Sequence, residues 1–287
     1  MIQREDRSLV SNVPTITLHN GVAMPQLGFG VWQVPDDEAA DAVGTALQAG
    51  YRSIDTAAIY ENEKGTGQAI AASGLPREDL FVTTKLWNRE QGYDSTLRAF
   101  DASLERLGLD YVDLYLIHWP VPEQDKYVDT WKAFQKIAAD GRAKAVGVSN
   151  FQPAHLQRLI DETGAVPAVN QIELHPHLQQ PLPRAFHADH GIATEAWSPL
   201  GQGKDLLKEP TLAAIADKHG KTPAQVVLRW HLQIGNVVIP KSVTPSRIKE
   251  NIDVFGFELD AGDLERIASL NTDTRLGADP DEMNGLD

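Results

Sequence analysis

The sequence predicts an α/β protein with the (β/α)8 TIM barrel fold, preceded by an N-terminal β-hairpin and carrying short extra helices. Short apolar stretches alternate with stretches of helical spacing through about 250 residues, which is the usual length of such a barrel. The apolar stretches show little polar alternation, so they suit a parallel sheet that is covered on both faces.

The first segment predicts a small hairpin. Residues 1–14 are expected to form a loose lead-in, and residues 15–27 begin with the alternating stretch TITL. Asn20-Gly21 follows, a dipeptide that tolerates the positive φ values of a two-residue hairpin turn. The first barrel strand is expected at GFGVW near residue 30, and helical spacing runs from residue 36 to a stop at Gly50.

Strand and helix alternate through the rest of the chain. Further strands are expected at YRSID, DLFVTTK, YVDLYLIHW, RAKAVGVSN, AVNQIEL, IATEAWSPL and NVVIPKS. Further helices are expected at GTGQAIAASG, STLRAFDASLERLG, KYVDTWKAFQKIAADG, PAHLQRLIDETG, PLPRAFHADHG, 209–219, 222–234 and PSRIKENIDVF. No composition shift interrupts this series, so we expect one domain over residues 1–287, ending in a C-terminal loop at 273–287.

A doubly wound open sheet is the alternative arrangement of alternating strands and helices. In its dinucleotide-binding form it needs the turn G-x-G-x-x-G after the first strand. The stretch GFGVWQV lacks the third glycine, so the sequence favours the barrel.

Composition excludes several classes of function. The chain has 26 Lys and Arg against 40 Asp and Glu, a formal charge of -14, which does not suit a nucleic-acid partner. It has no cysteine, hence no disulfide and no thiolate chemistry. Neither a signal-peptide h-region nor a membrane-spanning stretch is apparent. We expect a cytoplasmic monomer that acts on a small molecule without nucleic acid or membrane.

Polar and aromatic residues stand at the end of almost every predicted strand. In a barrel these ends meet on one face, where such folds carry their active sites. A single polar residue there would be structural, whereas a full ring of them indicates function. The ring contains Asp55, Lys85, His118, Ser149, Asn150, Gln171, Trp197, Ser198, Lys241 and Ser242.

Four residues of neighbouring strands combine a cation, an anion and two groups that can donate a proton. Lys85 alone could be a lysine whose ammonium lies in water. Asp55 is the nearest counter-ion by strand order, and Tyr60 lies on the loop between them, where an ammonium would lower the pKa of its phenol. His118 could donate to the same substrate oxygen, or could simply bind a backbone carbonyl. Trp32, Trp87 and Trp119 could form a pocket wall or only pack in the core.

The other half of the ring suggests a cofactor site. Ser149, Asn150 and Gln171 suit a carboxamide, and Trp197 offers a flat face for stacking. The loop SPLGQG offers N–H groups to a pyrophosphate. Lys241, Arg247 and Lys249 surround a helix start in an otherwise acidic chain, which indicates a phosphate rather than an ordinary solvated loop.

At these residues the sequence resembles the aldo-keto reductase superfamily over nearly its whole length. The matching stretches are PQLGFGVW, YRSIDTAAIYENE, TTKLWN, DLYLIHWP, VGVSNF, AVNQIELHP, WSPLGQG and IPKSVTPSRIKEN. The resemblance implies NADPH-dependent reduction of aldehydes and ketones without a metal. Hydride would come from NADPH and the proton from Tyr60, with Lys85 and Asp55 tuning the phenol and His118 orienting the carbonyl.

The resemblance also implies the binding residues. Substrate would contact Trp32, Tyr60, Trp87, His118 and Trp119. Lys241, Ser242, Thr244 and Arg247 would face the 2′-phosphate, and Glu250 and Asn251 would lie near adenine. The full set expected to bind NADPH is Gly30, Val31, Trp32, Asp55, Ser149, Asn150, Gln171, Trp197, Ser198, Pro199, Leu200, Gly201, Gln202, Ile239, Lys241, Ser242, Val243, Thr244, Arg247, Glu250 and Asn251.

Within the superfamily, HPHLQQ, LGQGK and KTPAQVVLRWHLQ are most similar to the prokaryotic 2,5-diketo-D-gluconate reductase group. Trp197 stands where many members carry tyrosine, and Thr244 stands where some carry arginine. The acidic C-terminal loop is short, so we expect small α-dicarbonyls or keto-sugar acids as substrates.

Three alternatives remain from the residues. A class I aldolase would use Lys85 as a Schiff-base nucleophile. A regulatory protein would bind NADPH with slow turnover. The pair His175 and His177 resembles metal ligands, although no third ligand is obvious in the sequence.

Overall fold

The computed structural model describes residues 13–286, so the lead-in expected at residues 1–14 falls almost wholly outside the described part of the chain. The strands are β1 (Thr15–Thr17), β2 (Ala23–Pro25), β3 (Phe29–Gly30), β4 (Ser53–Asp55), β5 (Phe81–Leu86), β6 (Val112–Ile117), β7 (Ala143–Ser149), β8 (Val169–Glu173), β9 (Ala193–Trp197) and β10 (Val237–Val238). The helices are α1 (Asp36–Ala49), α2 (Glu63–Ala72), α3 (Tyr93–Leu107), α4 (Tyr127–Ala139), α5 (Pro153–Thr163), α6 (Pro181–His190), α7 (Pro210–His219), α8 (Pro223–Gln233), α9 (Pro245–Ile252) and α10 (Ala261–Ala268).

Strands β3 to β10 form one parallel sheet in chain order. Its first and last strands meet, because Leu27 bridges Val238 in parallel and the amide of Gly28 donates to the Val238 carbonyl at 2.9 Å. The amide of Gly30 extends this contact by donating to the Pro240 carbonyl at 3.1 Å. The predicted (β/α)8 TIM barrel is confirmed.

The hairpin of β1 and β2 has a different turn from the one predicted. The amide of Gly21 donates to the Leu18 carbonyl at 2.8 Å, and Gly21 has a φ of +87° whereas Asn20 keeps a negative φ. The loop is therefore a turn closed by a glycine bulge, not a two-residue turn that needs two positive φ values. Leu18 and Met24 are buried against Leu114 and other strand residues, so the hairpin covers the barrel interior.

Helix α10 is the one helix of the described residues that the sequence pattern missed. It begins at a capping box, in which the Asp260 carboxylate accepts from the Asp263 amide and the Asp263 side chain faces back to the Asp260 amide. Its apolar stripe and the Asp260-x-x-Asp263 capping box are both visible in the sequence, so the helix could have been predicted. Within residues 13–286, no helix has both the length and the apolar character needed to cross a bilayer.

Parallel pairing brings the predicted ring residues to one rim. Gly30 pairs with Asp55, Ser149 pairs with Gln171, and Gln171 pairs with Glu195. Lys85 pairs with Leu116 one strand further on from Asp55. The strands thus place the Asp55 carboxyl group, the Lys85 amino group and the Gln171 amide around the same opening.

Two helical glycines give opposite predictions for stability. At Gly67 in α2 an added Cβ would lie 2.1 Å from the Leu107 carbonyl oxygen, whereas at Gly44 in α1 nothing lies within 4 Å. We expect Gly67→Ala to destabilise the fold by about 1–3 kcal/mol through overpacking, and Gly44→Ala to stabilise it by about 0.5–1 kcal/mol. Urea unfolding of both variants measures this, and equal effects of the same sign would contradict the close packing of α2.

Candidate active site

A buried ion pair lies at the centre of the rim. The Lys85 ammonium, with no exposed surface, donates to Asp55 Oδ1 at 2.5 Å and to the Thr56 carbonyl at 3.1 Å. Burial acts to lower the pKa of Lys85, but the charge of Asp55 and its hydrogen bond outweigh burial, so the pKa is raised. The lysine is therefore charged near neutral pH, and the interpretation of Lys85 as a surface lysine is wrong.

Tyr60 lies beside this pair at the end of a short 3₁₀ turn, Ala58–Tyr60. The Lys85 Nζ is 5.1 Å from the centre of the phenol ring. Burial raises the pKa of Tyr60, and Lys85 offsets only part of that increase, so the net direction is upwards. The sequence predicted a net decrease because it considered the ammonium without the burial. Tyr60 is thus a protonated phenol near neutral pH.

His118 follows β6 and packs between aromatic rings. Its ring makes edge contacts with Tyr60 at 5.7 Å and Trp87 at 5.2 Å between centroids. Burial and the charge of Lys85 hold the pKa of His118 well below its usual value, so the imidazole is neutral. Its Nδ1 is buried without a hydrogen-bond partner in the described chain. The alternative of a histidine satisfied by a backbone carbonyl is not supported at that atom.

The predicted aromatic wall is present in part. Trp87 and Trp119 are buried and form one cluster with Val121, against which Trp197 and Met283 pack. Trp32 is 42% exposed and lies outside this cluster.

The C-terminal segment crosses this wall and is tied to the barrel. Glu173, fully buried at the end of β8, accepts from the Leu276 and Gly277 amides at 2.7 and 2.9 Å. Trp87 Nε1 donates to the Leu286 carbonyl at 3.0 Å. Gly277 lies so close to Trp197 that an added Cβ would be 2.5 Å from the indole. Residues 273–286 of the predicted C-terminal loop therefore pack against the aromatic wall.

Asn150 joins the two halves of the rim. It adopts the left-handed conformation with a φ of +63°, which asparagine tolerates better than most residues. Its amide nitrogen donates to the His118 carbonyl at 3.0 Å, and its oxygen accepts from Trp197 Nε1 at 2.8 Å. Ser149 lies beside it and donates to the Gln171 carbonyl at 2.8 Å.

Gln171 is bound by two carboxyl groups. Its Nε2 donates to Asp55 Oδ2 and to Glu195 Oε2, each at 2.8 Å. Glu195 is buried on β9, and burial together with the charge of Asp55 raises its pKa to about 8. Glu195 is not among the residues predicted from the sequence, although a glutamate inside the apolar strand ATEAW is a visible signal.

The loop after β9 and the strand ends opposite it provide backbone surface. Ser198, Gly201 and Gln202 have positive φ values, so this stretch is a tight, irregular turn. Gly30 leaves only 3.3 Å between an added Cβ and the Ile239 carbonyl, so a larger residue would crowd the rim. Val31 is wholly buried in the core, and its predicted contact with the cofactor stays a prediction. Pro199 and Ile239 are also buried, and Leu200 is half-buried.

The predicted phosphate region is an exposed patch at the start of α9. Lys241, Thr244 and Arg247 are exposed, and no side chain caps the helix N-terminus. Val243 is exposed and Ser242 half-buried beside them. The start of α9 thus offers backbone N–H groups. Neither Lys241 nor Arg247 forms an ion pair with a carboxylate among residues 13–286.

Two predicted adenine contacts lie deeper. The Glu250 carboxylate accepts from the Thr222 hydroxyl at 2.8 Å, which ties it to the start of α8. Asn251 is buried. The metal alternative gains no support: His175 binds Glu173 at 2.9 Å and His177 binds Glu209 at 2.8 Å, and residues 13–286 hold no cluster of three or more metal-ligating side chains.

Removing one member of the buried pair leaves an uncompensated charge. We expect Lys85→Met to lower the free energy of unfolding by about 3–5 kcal/mol, and Asp55→Asn in the same chain to recover part of that loss. Lys136→Met is the matched control, because Lys136 contacts Asp140 at the same 2.5 Å but on the surface, where such a pair contributes under about 1 kcal/mol. Urea unfolding measures all three, and similar losses for both lysines would contradict the argument.

The chain is similar to known proteins over most of its length. The aldo/keto reductase family model matches residues 24–272. An aldo-keto reductase of Mycolicibacterium smegmatis is 64% identical over 271 residues, 94% of this chain and 98% of that protein. The methylglyoxal reductase DkgA of Escherichia coli is 53% identical over 277 residues, 96% of this chain and 100% of that protein.

A solved structure supports the same relationship. A mutant of Gox0644 in complex with NADPH has a TM-score of 0.91 at 53% identity, covering 94% of this chain and 98% of that one. The predicted superfamily is confirmed, and the DkgA relative agrees with the predicted subgroup. The chain belongs to the aldo/keto reductase family.

Proposed function

We propose that this chain reduces small α-dicarbonyls or keto-sugar acids to alcohols with NADPH, using Tyr60 as the proton donor. As a member of the aldo/keto reductase family the chain is an NADP-dependent oxidoreductase. The observation that carries the proposal is the buried Lys85–Asp55 pair beside a protonated phenol and a neutral imidazole. These groups can polarise a carbonyl and give its oxygen a proton.

The donor chemistry of the rim suits NADPH. The uncapped start of α9 with Lys241 and Arg247 suits a phosphate, and the partly exposed Trp197 suits stacking on a flat ring. The hydroxyl hydrogen of Ser149 and both amide hydrogens of Asn150 are already donated within the chain, so only the oxygen lone pairs of these side chains remain for a carboxamide. The NADPH complex of the Gox0644 mutant supports this cofactor.

The chemistry divides between the cofactor and the chain. When bound, NADPH would supply a hydride, a hydrogen with two electrons, to the carbonyl carbon. Tyr60 gives its proton to the carbonyl oxygen, and the resulting phenolate lies beside the Lys85 ammonium, which stabilises it. His118 is neutral, so one of its ring nitrogens can donate a hydrogen bond to the same oxygen and orient the substrate.

The pocket favours small substrates. Trp87 and Trp119 form one wall, and the C-terminal segment held by Glu173 crosses it. The E. coli relative is named a methylglyoxal reductase, and methylglyoxal is a small α-dicarbonyl, which supports this substrate class.

The two rival functions differ in what they require of the site. A class I aldolase needs an uncharged Lys85, whereas Asp55 raises the pKa of that lysine. Borohydride trapping of a covalent carbonyl adduct would favour the aldolase. A regulatory protein would bind NADPH tightly and turn over negligibly across a panel of aldehydes and dicarbonyls.

Replacement of the proton donor tests the function directly. We expect Tyr60→Phe to lower kcat for methylglyoxal reduction by about a hundredfold or more, because only the hydroxyl is removed. NADPH binding, followed by quenching of protein fluorescence, should stay within about twofold of the unmodified chain. Near-normal reduction by the variant would show that Tyr60 is not the donor.

The exposed patch at α9 tests the cofactor preference. We expect the unmodified chain to prefer NADPH over NADH, and Arg247→Ala to raise KM for NADPH by about tenfold or more, since one charge-assisted contact to the 2′-phosphate is lost. NADH lacks that phosphate, so its KM is the internal control. An equal change with both cofactors would place Arg247 elsewhere than at the 2′-phosphate.

A further inference from the structure

Glu195 is a buried carboxyl group that the proposed reaction does not use. It is 1% exposed in the middle of β9, with Gln171 of β8 paired on one side and the apolar Val237 of β10 on the other. Inside the barrel, the charges of Asp55 and Lys85 affect the pKa of Glu195, and the charge of Glu195 affects the pKa of Tyr60. It therefore lies behind the proton-donating residues without being one of them.

Its hydrogen bond determines how Gln171 is oriented. The side-chain amide of Gln171 has two N–H hydrogens, and the two carboxyl groups of Asp55 and Glu195 each take one, at 2.8 Å. Rotating the amide by half a turn would bring its oxygen against the carboxylate of Asp55. The amide nitrogen is thus committed to the protein, and only the carbonyl oxygen of Gln171 remains for a ligand.

The charges around Glu195 do not balance if it is ionised. Lys85 is the one cation that contacts Asp55 in the described chain, and it would have to neutralise the charges of both Asp55 and Glu195. Burial and the charge of Asp55 raise the pKa of Glu195 to about 8, while the Gln171 hydrogen bond and Lys85 oppose them. Near neutral pH the site holds one proton on this carboxyl.

We propose that Glu195 is a positioning residue of the reduction, which fixes the Gln171 amide and, by holding or releasing one proton, sets the charge that Tyr60 and Lys85 experience. This inference rests on the proposed function. The negative charge of ionised Glu195 raises the pKa of Tyr60 and of Lys85. Tyr60 therefore becomes a weaker acid as the pH rises through the range in which Glu195 loses its proton.

The pH profile of reduction tests the electrostatic part. In the unmodified chain we expect kcat for methylglyoxal to fall by about three- to tenfold between about pH 7 and pH 9, because Tyr60 loses acidity. In Glu195→Gln, which keeps an acceptor oxygen but cannot ionise, this step should be absent. Asp113→Asn is the control, because Asp113 is a buried carboxyl near the start of β6 that binds Arg77 and Lys144 away from the rim. A step that persists in Glu195→Gln would overturn the assignment.

A second variant tests the positioning part. Glu195→Met removes the acceptor as well as the charge, so the Gln171 amide loses one of its two partners. We expect Glu195→Met to weaken NADPH binding by about three- to tenfold and Glu195→Gln to leave it within about twofold. Equal binding by both variants would show that the hydrogen bond does not position Gln171.

Unfolding without cofactor or substrate gives an independent readout. The unfolded-state carboxyl has a pKa near 4.5, so between about pH 4.5 and pH 8 the folded chain holds a proton that the unfolded chain has lost. The stability contributed by this group therefore falls as the pH rises through that window. The unfolding equilibrium constant of the unmodified chain, relative to that of Glu195→Gln, should therefore increase by about tenfold or more as the pH rises through this window.

A ratio that does not change with pH would overturn the inference, whatever the enzyme assay shows. Because Tyr60→Phe tests the proposed function by itself, loss of the reductase activity and loss of the Glu195 effect are separate outcomes.

Discussion

The ion pair between Lys85 and Asp55 is the interaction on which the rest of the rim depends. An ammonium inside a barrel requires a counter-ion, and that counter-ion in turn requires donors for its second oxygen. Gln171 supplies one donor, and its second hydrogen is taken by Glu195. A continuous polar chain therefore crosses the barrel interior from β5 and β4 to β8 and β9. Each member is satisfied by the next, which is the condition for such a network to be tolerated in a core.

The closed barrel around this network limits the movement of its residues. The contact of Leu27 with Val238 closes the barrel, so no strand of it is a free edge. The residues on the strands have little freedom, whereas Tyr60 lies on a short turn and the pocket is completed by the C-terminal segment. Tyr60 is thus held by a turn beside rigid strands, and the aromatic wall is completed by a segment whose amides donate to the Glu173 carboxylate and whose Leu286 carbonyl accepts from Trp87.

The sequence predicted the features that follow from periodicity and from the order of the strands. Strand ends in a barrel must converge, so Asp55, Lys85 and His118 could be grouped from the sequence alone. Contacts between residues far apart in the chain could not be predicted in this way. Gln171 and Asp55 are separated by 116 positions, and Glu173 binds Leu276 across 103. The pKa of Tyr60 was misjudged because the neighbouring charge is visible in the sequence, whereas the extent of burial is not.

Asn150 has a consequence for how the two ligands of the site affect each other. One short side chain holds the backbone of His118 with its nitrogen and the indole of Trp197 with its oxygen. A ligand that moved the indole would therefore also act on the strand end that carries the imidazole, because both hydrogen bonds belong to the same amide. By linkage, any free energy that such a ligand transferred to the imidazole would be transferred equally in the opposite direction.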